Sequence, residues 1–216
     1  MKRIAMLAAP VLAGFGLAAA PAMAEVTIDL GGGWQATIFE ETLVDLAVDY
    51  VSLEEDILVI EKFANFASID PLTGQPDPVR INFFQTESDE NTVSRIVIAD
   101  EIIQNNTGSA FTQFDMVLLG SQATWNEQLS AGISLDGFTD LSFSDNSQRA
   151  TFSGGTVAAG DFWTPGADFG ELVIDVDLSS QTAASFVLKE IPTVPAPGAF
   201  ALLGLAGLAS RRRRRG

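Results

Sequence analysis

The residues able to do chemistry in this chain are almost all carboxylates: 28 Asp and Glu, against no histidine and no cysteine. Without histidine, the usual general base, the Ser-His-Asp triad and nearly every catalytic zinc site are excluded. Without cysteine there is no thiolate nucleophile, no thiolate metal site and no disulfide framework. What remains is a carboxylate pair, as in glycoside hydrolysis, or a Lys or Tyr base. Asp100 and Glu101, at the end of an apolar run, are the most conspicuous pair. Adjacent residues on a strand face opposite sides, so the two share a pocket only if a bulge intervenes. A solvated strand edge is the simpler reading, and the expectation is a protein that is not an enzyme.

So much carboxylate oxygen suits calcium, which takes six to eight oxygen ligands from Asp, Asn, Glu and backbone carbonyls. The densest local cluster is Asp140 with Asp145 and Asn146 in "TDLSFSDNSQ", with Asp136 just before it. It lacks EF-hand spacing, and an Asp/Asn/Ser turn has the same composition. Trp125 in "SQATWNEQ" and Trp163 in "GDFWTPGADFG" are candidates for stacking on sugar rings if exposed, although aromatics mostly pack in cores. Trp34, after three glycines at a strand start, is the one expected to be buried.

The elements that must hold these residues read as strands. "VTIDL" (26–30), "WQATIF" (34–39), "LVDLAVDYV" (43–51) and "DILVIEKF" (56–63) run or alternate apolar at strand length, and Gly31-Gly32-Gly33 separates the first two. In 43–51, Val44, Leu46, Val48 and Tyr50 share one parity, with Asp45 and Asp49 on the other, as in a half-buried antiparallel strand. "SIDPLTGQPDP" (68–78) is a turn-rich loop. Further strands are expected at 79–85, 93–103, 111–119, 132–135, 150–154, 171–178 and 185–191, with Asn105-Asn106-Thr107-Gly108 as a reversal. Asn105 also opens an N-glycosylation triplet, which its turn chemistry makes the lesser reading. Strands at this spacing predict one all-β domain, a single antiparallel β-sandwich of jelly-roll type, over residues 25–191.

The two ends differ from this middle. Lys2 and Arg3, the apolar run Ile4 to Ala20, and Ala22-Met23-Ala24 before Glu25 have the three-part form of a secretory signal peptide, residues 1–24, cut after Ala24 with Ala22 and Ala24 as the small flanking residues. Export through the Sec machinery follows. At the other end, residues 192–216 hold Val194-Pro195-Ala196-Pro197, an apolar run Gly198 to Ala209, and Arg211, Arg212, Arg213, Arg214 and Arg215. As helix, Val194 to Ala209 reaches about 24 Å, slightly short of a bilayer core of ~30 Å, and arginine snorkelling covers the difference. The arginines stay cytoplasmic under the positive-inside rule and stop translocation in the inner membrane. Between the signals the chain has only Lys62, Arg80, Arg95, Arg149 and Lys189 against all 28 acids, a charge near −23 that repels nucleic acid.

The order Val194-Pro195-x-Pro197, apolar helix, arginine cluster resembles the PEP-CTERM sorting signal of exopolysaccharide-producing Gram-negative bacteria, with Ala196 where the family usually has Glu. The block "IVIADEIIQNNTGSAFTQFDMVLLG" (96–120) is similar to a segment of many exported proteins that carry this signal. The resemblance implies processing at the Val194 to Pro197 motif by an exosortase-type transpeptidase. It also implies an uncharacterised β-sandwich passenger delivered to the cell surface or extracellular matrix. A structural or adhesive role beside exopolysaccharide is the expectation, with a carbohydrate-binding module, its loops ordered by Ca²⁺, as the alternative.

Overall fold

The computed structural model describes residues 25–38, 44–130, 137–165, 171–180 and 182–195. The residues expected to form a signal peptide, Ala196, Pro197, the apolar run and the arginines lie outside these, as do Asp136 and the strand expected at 132–135. So do the two helices expected to flank the domain. Among the described residues no helix is long and apolar enough to cross a membrane.

Among the described residues, thirteen strands form two sheets. They are β1 (Val26–Gly31), β2 (Trp34–Ile38), β3 (Val44–Ser52), β4 (Ile57–Phe66), β5 (Val79–Gln85), β6 (Arg95–Asn105) and β7 (Gln113–Leu119), then β8 (Ala123–Trp125), β9 (Asp140–Ser144), β10 (Arg149–Ser153), β11 (Phe162–Trp163), β12 (Leu172–Val176) and β13 (Ser185–Thr193). One sheet runs β1-β2-β5-β13-β7-β10-β9 and the other β3-β4-β6-β12-β8, with β11 added to β6. Their inner faces share one core, so the all-β sandwich stands. It is not wholly antiparallel, because β4 and β6 run side by side in parallel. The chain leaves the second sheet after β4, forms β5 in the first, and returns to lay β6 beside β4.

Period-two patterning explains which faces meet. In β4, Leu58, Ile60, Ala64 and Phe66 point inward, and in β13 Phe186 and Leu188 do. Aromatic rings fill much of the space between: Phe83 stacks on Phe186 at 4.9 Å, and Phe66 meets Phe114 edge-on at 5.6 Å. Fully burying side chains of this size stabilises by roughly 1.5–3 kcal/mol each. The turn between β1 and β2 needs its glycines. Gly32 and Gly33 have φ of 55° and 80°, and a Cβ on Gly33 would meet the Thr92 backbone at 2.8 Å.

Bulges correct two expectations. In β3 the register slips between Val48 and Tyr50, so Tyr50 pairs with Val59 and is 45% exposed, off the inward parity of Val44 and Leu46. In β6 a second slip changes which residues face the core. The domain boundary expected after Ile191 falls inside β13. Beyond the strand, Val194 is still buried, its N–H donating to Gln75 Oε1 (3.0 Å) and its carbonyl accepting from Gln75 Nε2 (3.1 Å).

Candidate functional site

The strongest concentration of reactive groups lies inside the sandwich. Three charged side chains, Lys62, Glu101 and Glu190, have no exposed surface, and they meet. Lys62 takes the inward parity of β4 between Ile60 and Ala64. Glu190 follows Phe186 and Leu188 on the inward parity of β13, with buried Val79 and Met116 opposite it on the neighbouring strands.

Glu101 arrives by the bulge in β6. Ile60 pairs with Ile98 but Glu61 pairs with Asp100, leaving Ala99 as the extra residue. Before it Ile96 and Ile98 face inward; after it Ile103 and Asn105 do, and Glu101 with them. Uninterrupted alternation would have turned Glu101 to solvent. The solvated edge expected for the Asp100–Glu101 pair is therefore corrected at Glu101. Its partners are Lys62, directly across the parallel pair, and Glu190 from the opposite sheet.

Lys62 Nζ lies 2.6 Å from Glu101 Oε1 and 2.5 Å from Glu190 Oε1. Both are closer than the ~2.7–2.9 Å of an ordinary charge-assisted hydrogen bond. Yet Nζ and all four carboxyl oxygens lack a hydrogen-bond partner of acceptable alignment. The contacts are short ion pairs, poorly directed. Burial pulls the Lys62 ammonium down, but the two carboxyls outweigh it and leave its pKa raised. For Glu101, burial is the largest effect. With Glu190 adding to it and Lys62 opposing, the group is pushed up to about 8. At neutral pH Glu101 is thus held mainly as the neutral acid beside the Lys62 ammonium.

The residues singled out for sugar and metal binding are elsewhere. Trp125 and Trp163 are each 2% exposed, which corrects the expectation that either offers an indole face to a sugar. The Trp163 ring is enclosed by Phe114, Phe138 and Phe152 at 4.8–5.2 Å, and the Trp125 Nε1–H donates to the Met116 carbonyl. Trp34 is buried as expected, its Nε1–H donating to the Val93 carbonyl at 2.8 Å. The expected calcium cluster is opened by strand β9. Asp140 is at its start and Asp145 just past its end, about 16 Å apart at strand rise. Asp145 and Asn146 belong to the β9–β10 turn, where Asn146 and Ser147 have φ near 60°, and the Asp145 carboxylate accepts from Arg149 Nε. Asp136 lies outside the described residues. Among the residues described, no three Asp or Glu side chains group to hold a metal ion.

A groove of about 370 Å³ on the outer face of the second sheet is lined by Asp45, Glu61, Phe63, Ile102 and Thr164 and also by Lys62 and Glu101, although the side chains of these last two have no exposed surface. Sequence reading missed Lys62 and Glu190 as a pair, but each left a trace: a single charge at an apolar parity, in "LVIEKFANF" and "FVLKEIPTV". Compared with known proteins, the chain matches no family model, no curated protein and no solved structure.

Proposed function

We propose that this chain is an exported, acidic structural or adhesive component of the cell surface or extracellular matrix, and that it performs no catalysis on an external substrate. The observation that carries this reading is the sealed position of Lys62, Glu101 and Glu190. Its reactive groups are turned toward the fold itself. A dense aromatic core beneath a strongly acidic exterior suits a durable passenger, soluble and resistant to association with anionic polymers. The repeated crossing of the chain between sheets supports a jelly-roll-like winding.

Sorting follows from the ends of the sequence. The N-terminal segment directs Sec export, and the C-terminal segment holds the chain in the inner membrane, arginines inside, until an exosortase-type enzyme processes it near Val194 to Pro197. Exopolysaccharide is the expected neighbour.

Intact-mass measurement on protein recovered from native envelope and medium tests this. A chain running from Glu25 to the Val194 region is expected, and replacement of Arg211 to Arg215 by neutral residues should leave unprocessed protein. Recovery of a chain that retains its arginine tail in the finished surface fraction, or unchanged processing of the arginine-free variant, would overturn the sorting scheme.

A further inference from the structure

We propose that Lys62 and Glu190 condense spontaneously into an intramolecular amide, a covalent staple between the two sheets, with Glu101 as the acid that promotes it. The geometry has all three parts. The amine is within 2.5 Å of the acceptor carboxyl and within 2.6 Å of a second carboxyl, and none of the three side chains has exposed surface. Such approach is the condition under which a bimolecular step becomes effectively unimolecular.

The step balances without any co-reactant. The reacting form is the minor neutral one, in which Lys62 has passed a proton to Glu190 to give a neutral amine and a neutral acid, the pairing that a low-dielectric core favours over separated charges. The amine lone pair attacks Glu190 Cδ, forming the C–N bond, while the carbonyl electron pair moves onto oxygen and takes the Glu101 proton. Glu101, now a carboxylate, accepts a proton from the new C–N nitrogen and delivers it to one of the two hydroxyls on Cδ. That hydroxyl leaves as water, and the carbonyl re-forms as the remaining hydroxyl gives its proton to the Glu101 carboxylate. The products are an amide, one water and Glu101 again protonated, able to donate to the amide oxygen. The raised pKa of Glu101 supplies the acid at neutral pH. An ion pair that is costly to bury is exchanged for a neutral group.

The position of the bond suggests its use. The chain has no cysteine, so no disulfide can join the sheets. β13 is the central strand of the seven-stranded sheet and the last strand before the C-terminal segment. If that segment is the attachment point, as the sorting scheme holds, tension on it loads β13 directly. A link from Glu190 to Lys62 on β4 would pass the load to the other sheet.

The test is peptide mapping and intact mass of the full chain under denaturing conditions. Its termini are assigned from the same digest, so the outcome does not depend on how the protein was sorted. The expected result is a mass lower than the sequence by one water, about 18 Da, and a branched peptide joining Lys62 to Glu190. Glu190→Gln should lose ammonia, about 17 Da, in place of water. Glu101→Gln, which keeps the shape but not the acid, should yield a folded chain that retains the full mass of its sequence. A wild-type chain of full mass with trypsin cutting after Lys62 would overturn the proposal. A branch joining Lys62 to Glu101 would overturn the inter-sheet assignment.

Discussion

Replacing Asn105 by aspartate should destabilise the domain by an amount that depends on pH in a specified direction. Asn105 ends β6 with no exposed surface. Its Nδ2 donates to the carbonyls of Ser109 (2.8 Å), Val157 (3.0 Å) and Ala158 (3.2 Å), while Oδ1 accepts from the Thr107 N–H (3.2 Å) and hydroxyl (2.8 Å). Aspartate preserves the shape and the acceptor, loses both N–H donors, and sets a negative charge against three carbonyl oxygens. Two lost hydrogen bonds at about 1 kcal/mol each, plus about 1–2 kcal/mol for a buried carboxylate facing three carbonyl oxygens, come to about 3–4 kcal/mol at neutral pH, the Val157 carbonyl itself keeping the Phe111 N–H at 2.9 Å. With a urea slope of about 2 kcal/mol per molar, the unfolding midpoint should fall by about 1.5–2 M. Burial and the facing carbonyls disfavour the anion, so this aspartate has a higher pKa folded than its unfolded value near ~3.9. The folded variant then binds more protons than the unfolded one between those two values. Its deficit against wild type is therefore full above the folded pKa and narrows as pH falls through it, because the protonated acid can donate one hydrogen bond. Paired urea titrations of both proteins from pH 8 to pH 4 cancel the response of the shared carboxylates. A midpoint shift below about 0.5 M at pH 7, or a deficit that does not narrow on acidification, would refute the role given to the Asn105 amide.

Two further outcomes follow from packing. Trp163→Ala empties the ring site among Phe114, Phe138 and Phe152 and should cost about 3–5 kcal/mol, a melting-temperature drop of about 10 °C. Loss of polysaccharide binding with an unchanged melting temperature would show instead that the indole is a surface platform. Gln75→Ala removes both side-chain hydrogen bonds to the Val194 backbone and should free the end of β13 at a cost of about 1–2 kcal/mol. Hydrogen exchange should then rise at Val194 with little change at Leu188. Equal exchange at Val194 in both proteins would argue that Gln75 does not tie down the end of β13.

The strands were legible because their signal is local. Alternation at period two and the glycine and asparagine turns mark β1, β2, β4, β5 and β13 in the sequence to within a few residues, and Trp34 reads as buried from its place after three glycines. β9 was not legible, since "DLSFS" between acidic residues has the composition of a loop; its strand nature comes from pairing with β10. Both other tryptophans sit in segments rich in turn residues, yet their rings are drawn inward, because an indole has more apolar area to bury than its flanking residues can offset by staying wet.

Composition alone makes this an acidic β chain without histidine or cysteine and leaves carboxylates and a few amines as its ionisable groups of note. Residue order also set Lys62 and Glu190 at apolar parities of their strands, which period-two geometry makes inward. That these charges meet was decided by the tertiary structure alone. Two sheets had to pack face to face to bring Glu190 over Lys62, and Ala99 had to be extruded from the β4–β6 pairing to turn Glu101 inward. Neither event has a local signature, because register and sheet packing are set by the burial of all the strands together.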